Sequence, residues 1–250
     1  MRVGSVANAT AILRHLAVAR PQGVNAIARE LALSPSSCFN ILKTLTDEGF
    51  LDFQPETKTY SIGIAAIQLF QFPSGLGAWL EWLERELHRL CLDLQLSSGL
   101  WQVRGNRVVL LKAMESSLAT RIHLAAGQRL PKYLGAMGRC IAAAEDVGAG
   151  KISDIIASLR WQRAPTAEAY LRDMRAAKER GWSLDEGNYL SGVVTLAAAI
   201  SNGRGHVSHC LTATSFSGQH FPGQLNEIGD RLAKLAAEAS ERLTVGARLP

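Results

Sequence analysis

Apolar residues recur at helical spacing in three short segments near the start of the chain, and polar or glycine-containing turns separate them. The spacing predicts a first helix capped by Ser5, a second capped by Asn25, and a third capped by Ser34 with Pro35 at its first position. The inward-facing residues are Val6, Ala9, Leu13, Leu16 and Ala17, then Ile27, Ala28 and Leu31, then Cys38, Ile41, Leu42 and Leu45. The last two segments, between Val24 and Leu45, therefore predict two helices joined by a tight turn.

A short alternating segment comes next, with the sequence FLDFQPETKTYSIG and a turn at residues 54–58. If its two arms pair, Leu51 and Phe53 lie opposite Tyr60 and Ile62, which predicts a β-hairpin. Three helices followed by a hairpin predict a winged helix-turn-helix. A hairpin that merely covers the small core is the alternative.

The third helix has a polar face opposite its apolar stripe. An advance of about 100° per residue brings four residues together there: Ser36, Asn40, Lys43 and Asp47. In a DNA major groove, hydroxyl, amide and ammonium groups reach base edges or phosphates, and the N–H groups of the first helical turn favour phosphate. The pattern indicates a DNA-recognition helix, and an ordinary amphipathic helix with a solvated face is the alternative.

Residues from Ser5 to Gly63 resemble the DNA-binding domain of the IclR family of bacterial transcriptional regulators. The family patterns SVxRAxxIL, IAxxLGLPKSTxxRLLxTLxxxGxL and YxLG become SVANATAIL, IARELALSPSSCFNILKTLTDEGFL and YSIG here. The family's usual Arg falls on Asn40, and Asn favours adenine where Arg favours guanine. Candidate DNA-contacting residues are Asn25, Ser36, Ser37, Phe39, Asn40, Lys43, Thr44, Lys58 and Thr59.

The remainder of the chain predicts an α+β domain. The pattern predicts a helix over residues 64–72, a linker over 73–77 and a long leucine-rich helix after it. Strands are predicted at 100–103, 108–114, 182–185, 193–200 and 207–214, with a helix between Thr166 and Gly181 and a closing helix over 225–243. We therefore assign a winged helix-turn-helix domain to 1–63, a linker helix and loop to 64–77, and the second domain to 78–250.

The second domain extends the resemblance to the IclR family over nearly the whole chain. It rests on GQRLPKYLGAMGRCIAA, where relatives have vGxrxPlhaxAxGkaxLA, and on GWSLDEGNYLSGVVTLAAAI. The resemblance implies a GAF-like α/β effector-binding domain, with a loop at Ala136-Met137 whose N–H groups hold a carboxylate. The effector-binding residues that it implies are Leu130, Ala136, Met137, Asp185, Thr195, Thr212 and Thr214.

Each of these residues also has a purely structural interpretation. Asp185 is a common residue type before a turn such as Glu186-Gly187-Asn188, and threonine is ordinary in a strand. Met137 replaces a smaller residue usual in the family, which implies a narrower or more apolar cavity. Thr195 stands where some relatives have Cys.

Composition and charge place limits on the partners. The 250 residues are 47% hydrophobic and 20% charged, which is typical of a globular chain. The net charge is +5, yet residues 1–63 contain six basic and five acidic side chains, a net charge of only +1. Tight DNA binding therefore needs several aligned copies, and we expect a homodimer or a dimer of dimers.

The cysteine pattern and the apolar runs bear on localisation. The four cysteines show no CxxC spacing, and there is neither a secretion signal nor an apolar run of about 18 residues. We therefore expect reduced thiols in a cytoplasmic protein with no membrane partner.

The sequence contains no GxSxG, P-loop or complete GxGxxG motif, and the three-residue spacing of His206 and His209 on a strand points them to opposite faces. We therefore expect no catalytic activity, metal or cofactor. The preferred hypothesis is a transcriptional regulator that binds double-stranded operator DNA and a small-molecule effector. The alternatives are a small-molecule enzyme or sensor whose winged helix mediates protein contacts, and an architectural DNA binder without an effector.

Overall fold

The computed structural model describes residues 3–66, 76–202 and 204–246. The chain divides into two compact units, residues 1–77 and 78–250. The described elements of the first unit are α1 (Gly4–Leu16), α2 (Val24–Glu30), α3 (Pro35–Asp47), β1 (Leu51–Gln54) and β2 (Thr59–Ile62). This order confirms the predicted winged helix-turn-helix.

The helices of the first unit pack into one small core, to which the hairpin adds Leu51 and Tyr60. The predicted inward face of α1 is wrong at Val6 and Ala17, which are exposed, whereas Ile12 is fully buried. Ser34 caps α3 as predicted, because its Oγ accepts a hydrogen bond from the Ser37 N–H over 3.2 Å. Pro35 occupies the first helical position, where its missing N–H costs nothing. The entry into the recognition helix is thus fixed by local chemistry.

The predicted caps of the first two helices are wrong. α1 begins at Gly4, ahead of Ser5, and α2 begins after Gly23, so that Asn25 lies inside its first turn. Neither helix has a side-chain cap, and the residue before each is extended. The start of α1 is exposed, so water can satisfy the N–H groups that a cap would otherwise bind, whereas the start of α2 is half-buried except at Asn25.

The hairpin has the predicted register, with Leu51 opposite Ile62 and Phe53 opposite Tyr60. The ring centroids of Phe53 and Tyr60 lie 4.8 Å apart. Gln22, just before α2, exchanges backbone hydrogen bonds with Tyr60 over 3.2 and 2.8 Å. The hairpin is therefore joined to the helices by backbone pairing as well as by the core.

The second unit is a six-stranded antiparallel sheet with helices on both faces. Its described elements are α4 (Leu76–Leu94), β3 (Ser97–Arg104), β4 (Arg107–Met114), β5 (Arg129–Pro131), α5 (Gly135–Ala144), α6 (Ala149–Ser158), α7 (Ala167–Arg180), β6 (Ser183–Glu186), β7 (Val193–Ser201), β8 (Val207–Phe216) and α8 (Pro222–Gly246). The strand order is β5-β4-β3-β8-β7-β6. The α+β class predicted from the sequence is confirmed.

Two cores lie on opposite faces of this sheet. On one face, α4 and α8 pack against residues such as Leu196 and Leu211. On the other face, α5, α6 and α7 pack against residues such as Ala197 and Cys210. Successive side chains of a strand point to opposite faces, so β7 and β8 contribute to both cores.

β4 contains one residue more than the facing part of β3. Leu100 pairs with Lys112 and Trp101 with Leu110, so Leu111 has no partner in the register. Such a bulge reverses the alternation of side chains. Leu110 and Met114, four residues apart on one strand, accordingly lie in opposite cores.

The structure moves several predicted boundaries. Residues 64–66 are helical, whereas 67–72 of the predicted linker helix and 73–75 of the predicted loop lie outside the described residues. Leu76 and Gly77, predicted as loop, belong to α4. β3 begins at Ser97, three residues before the predicted start. The prediction missed these residues because Ser97 and Ser98 are polar although they are buried. The three-residue β5 is too short to show an alternation.

The remaining sequence expectations concern single residues. Thr166 caps α7 by accepting from the Ala169 N–H over 3.2 Å, and Gly181 ends it with φ +82°. The cysteines are buried free thiols. His206 is exposed, whereas His209 is buried with its ring 5.2 Å from that of Trp79. None of the helices among the described residues has the length and apolarity needed to cross a membrane.

Candidate functional site

The outer face of α3 is the surface of the first unit on which the predicted contacts concentrate. We define it by five exposed residues: Ser36, Phe39, Asn40, Lys43 and Thr44. Cys38 and Leu42 fill the core on the opposite side and so fix the rotation of the helix. Phe39 remains 48% exposed although it is large and apolar.

The polar groups near this face differ in how far the protein already uses them. Ser37 Oγ accepts from Ser34 Oγ over 2.8 Å and belongs to the helix cap. Thr44 Oγ1 donates to the Asn40 carbonyl over 3.0 Å. Among the residues that the structure describes, no hydrogen bond or ion pair engages the Asn40 amide or the Lys43 ammonium. These two groups are free to bind an external partner.

The other predicted DNA contacts lie elsewhere on the same unit. Lys58 is exposed at the hairpin turn with φ +53°. Thr59 is half-buried, with its Oγ1 2.7 Å from that of Thr57. Asn25 is exposed in the first turn of α2. These three side chains lie outside the outer face of α3, Asn25 on the preceding helix and the other two on the hairpin.

A cavity of about 150 Å³ lies in the second unit, against the face of the sheet that α5 covers. Much of its wall is apolar and includes Trp101, Ile122, Leu124, Leu134, Leu190 and Val193. All of the effector residues implied by the sequence line it: Leu130, Ala136, Met137, Asp185, Thr195, Thr212 and Thr214. The structure therefore brings together residues that span 85 positions of the sequence.

The N-terminal end of α5 forms one wall of this cavity. Gly135, Ala136 and Met137 are its first residues, so the expected loop at Ala136-Met137 is wrong and the segment is the first turn of a helix. The Gly138 N–H donates to the Leu134 carbonyl over 3.1 Å, which leaves the three preceding N–H groups without an acceptor inside the helix. Free N–H groups at a helix start favour an anion.

Threonine hydroxyls line the strand side of the cavity. Thr195 on β7 pairs in register with Thr214 on β8. Thr212 Oγ1 accepts a hydrogen bond from Trp101 Nε1 over 3.0 Å. Gly99 makes room for this contact, because a Cβ at that position would lie 2.8 Å from the indole nitrogen. The Thr212 hydroxyl is therefore held in a fixed position.

Protein groups already occupy both carboxylate oxygens of Asp185, which is 4% exposed. Arg139 Nη1 donates to Oδ1 over 2.8 Å, and the Tyr189 N–H donates to Oδ2 over 3.0 Å. The turn interpretation of Asp185 therefore holds, and the residue lines the cavity as well. Its charge is balanced by a buried cation.

Arg139 is a charged residue beside the cavity that sequence reasoning missed. It is fully buried, its Nη2 donates to Asn188 Oδ1 over 2.8 Å, and its Nε lies 3.2 Å from Asp173 Oδ2 without hydrogen-bond geometry. The sequence does contain a signal for it, since Arg139 is the single charged residue in the run of small and apolar residues GAMGRCIAAA. A charge that such a run carries into the core needs a partner of opposite charge.

Two neighbours of Arg139 stay protonated. Burial raises the pKa of the Cys140 thiol to about 11, and this thiol donates to the Ala197 carbonyl over 3.1 Å. Burial likewise raises the pKa of Tyr170 far above its ordinary value, and its hydroxyl donates to the Tyr133 carbonyl over 2.8 Å. Both groups act here as hydrogen-bond donors in the core.

Comparison with known proteins matches both units to models of the same family. The model of the IclR helix-turn-helix domain matches residues 5–55, and that of the bacterial transcriptional regulator IclR C-terminal domain matches residues 80–242. The chain is 22% identical over 229 residues to the HTH-type transcriptional regulator XynR of Escherichia coli, and the match covers 87% of each protein.

Solved structures share the fold. An IclR transcriptional regulator from Alicyclobacillus acidocaldarius matches with a TM-score of 0.69 and 24% identity, over 97% of this chain and 99% of that one. An IclR homologue from Microbacterium hydrocarbonoxydans, complexed with 4-hydroxybenzoate, matches with a TM-score of 0.67 and 17% identity, over 96% and 99%. The winged helix-turn-helix, the helix-covered sheet and these matches together show that the chain belongs to the IclR family of bacterial transcriptional regulators.

Proposed function

We propose that this DNA-binding regulator senses a small carboxylate-bearing metabolite in the cavity of its second unit and thereby controls a metabolic or catabolic operon. The observation that carries the proposal is the convergence of the predicted effector residues on one cavity beside the start of α5. A ligand changes DNA affinity only if it binds one arrangement of the protein better than another.

The size and lining of the cavity support a small, partly apolar ligand. A volume of about 150 Å³ is comparable to an engineered cavity that holds benzene, so one ring or a short chain fits. Trp101 and Leu134 provide apolar contact, and Thr195 and Thr214 provide hydroxyls that orient a polar group.

The charges around the cavity support an anion. The N–H groups of Gly135, Ala136 and Met137 supply donors at a helix start, where the dipole favours negative charge. Asp185 would repel an anion if its charge were unbalanced, but Arg139 pairs with it directly. The homologue from Microbacterium hydrocarbonoxydans was solved with 4-hydroxybenzoate, which is itself a carboxylate.

On the DNA side, we assign base contacts to Ser36, Phe39 and Asn40, and phosphate contacts to Lys43 and the first turn of α3. The remaining candidates are assigned to contacts with the DNA backbone: Asn25, Ser37, Thr44, Lys58 and Thr59. The low net charge of residues 1–63 calls for several copies on one operator, so a homodimer or a dimer of dimers is part of the proposal.

Thermal unfolding of the full chain with paired ligands tests the effector class. We expect small carboxylates such as 4-hydroxybenzoate to raise the Tm more than their amides do, because the N–H groups at α5 favour the charged form. Thr195→Val should reduce the shift, whereas the exposed control Thr120→Val should not. A panel in which no carboxylate exceeds its amide would contradict the proposed ligand class.

A further inference from the structure

The outer face of α3 presents a hydrogen-bonding amide next to an exposed aromatic ring. Asn40 lies near its middle, four residues after Ser36 and three before Lys43, and its amide group has no partner among the described residues. Phe39 lies at one edge of the same face and keeps 48% of its surface exposed. This combination differs from an ordinary solvated helix face, on which most residues are charged or polar.

The charge along α3 indicates which half of the helix approaches DNA. Asp47 is exposed at the last position of the helix, Glu48 follows it, and the last turn has no basic residue. Carboxylates repel phosphates, whereas the N–H groups at the helix start attract them. The N-terminal half, with Ser36, Phe39 and Asn40, is therefore the half that can enter a groove.

Each of the two side chains selects one base in the major groove. The Asn amide donates to adenine N7 or accepts from its N6 amino group, and a pair of such bonds discriminates against guanine. An apolar ring contacts the C5-methyl group of thymine, which no other DNA base carries. Phe39 and Asn40 are only about 1.5 Å apart along the helix axis but about 100° apart around it, so they reach different groups within a short stretch of the groove.

We infer that the operator half-site of this regulator contains an A·T step in which Asn40 binds adenine and Phe39 contacts a thymine methyl group. This inference rests on the DNA-binding function and adds base identity to it. Asn40 is the residue that decides between adenine and guanine, because an arginine at the same place would present a fork to guanine O6 and N7.

Selection of bound duplexes from a random-sequence pool tests the assignment without knowledge of the operator. The full-length wild type, Asn40→Arg, Asn40→Ala and Phe39→Ala would be compared, with Asn226→Ala and Phe221→Ala as exposed controls of the same chemistry in the second unit. We expect one adenine position in the wild-type motif to become guanine with Asn40→Arg and to lose its preference with Asn40→Ala. The affinity of Asn40→Ala for the wild-type motif should fall by roughly tenfold.

Replacement of thymine by deoxyuridine in the selected duplex isolates the Phe39 contact, because it removes only the methyl group. We expect the wild type to lose about fourfold in affinity at one position and Phe39→Ala to lose none there. All variants are exposed-site changes, and unchanged Tm values would show that they fold.

Three results would overturn the inference. The first is a motif that Asn40→Arg and Asn40→Ala leave unchanged, and the second is a wild type indifferent to deoxyuridine at every position. The third is a pool from which the wild type enriches no motif, which would contradict sequence-specific DNA binding itself and is thereby distinguished from a failure of the base assignment alone.

Discussion

Arg139 and Asp185 form an ion pair over 2.8 Å in which both side chains are almost fully enclosed, at 1% and 5% exposure. The pair joins α5 to β6 behind the wall of the cavity. Removal of one partner of a buried pair leaves an uncompensated charge, which commonly costs about 3 kcal/mol. We therefore expect Asp185→Ala to lower the free energy of unfolding by about that amount in urea titrations.

A double variant separates the charge from the packing. Arg139→Met combined with Asp185→Leu removes both charges and should recover most of the stability that Asp185→Ala loses, because well-packed apolar pairs replace buried ion pairs at little cost. An Asp185→Ala protein within about 0.5 kcal/mol of the wild type would show that Asp173 alone satisfies the guanidinium.

Lys43 should contribute charge to DNA binding without contributing sequence preference. Lys43→Ala removes one phosphate contact for each protomer, so the slope of log affinity against log salt should become less steep by about one unit for each copy on the operator. Gel-shift titrations between low and moderate salt measure the slope, and ligand-induced Tm shifts should stay unchanged. Lys151→Ala, exposed on α6, is the control, and an equal slope for both variants would remove Lys43 from the interface.

Gly138 permits α5 to lie against the backbone before it. A Cβ at this position would lie 2.0 Å from the Tyr133 carbonyl carbon and 2.1 Å from its oxygen, too close for any adjustment of a side chain. Gly138→Ala should therefore displace the start of α5, lower the Tm and abolish ligand-induced shifts.

Gly150 is the matched control, because it lies within α6 and a Cβ there meets nothing within 4 Å. Gly150→Ala should raise stability by up to about 1 kcal/mol, since alanine loses less backbone entropy in a helix. Similar Tm values for the two variants would contradict the close approach at Tyr133.

His209 makes stability depend on pH. Burial lowers its pKa to about 4, whereas the unfolded chain titrates near 6.5. The unfolded chain therefore binds the proton first, so the contribution of His209 is complete above about pH 6.5 and is lost as the pH falls toward 4. Between pH 7 and pH 5 the loss should amount to about 2 kcal/mol.

The measurement is urea unfolding at both pH values. His209→Phe should lose less stability than the wild type on acidification, whereas His206→Gln, which changes an exposed histidine, should behave as the wild type does. An equal pH dependence for the wild type and His209→Phe would assign the acid sensitivity to other groups.

Local signals explain which parts of the fold were predictable. Ser34 and Pro35 mark the start of α3, and Thr166 and Gly181 mark the two ends of α7. Each of these signals depends only on residues that are close in the sequence. The Asn25 cap failed because a capping residue must itself have extended backbone directly before the helix, and here that residue is Gly23 while Asn25 is already helical.

Long-range relationships explain what was not predictable. The unpaired Leu111 depends on the register between β3 and β4, which no single strand reveals. The partnership of Arg139 with Asp185 spans 46 positions and appears only when α5 lies beside β6. The cavity residues were found through family resemblance, since threonines on strands and a short apolar helix have no local pattern that marks a ligand site.

Leu211 and Thr212 are consecutive on β8, yet Thr212 lines the cavity and Leu211 packs beneath α4 and α8. A single peptide unit therefore separates the cavity from the opposite core. Because protein interiors are densely packed and resist compression, a shift of the Thr212 backbone displaces Leu211 with it. A displacement at the cavity can therefore reach the core on the opposite face of the sheet through the backbone of β8 alone, without passing along a chain of side chains.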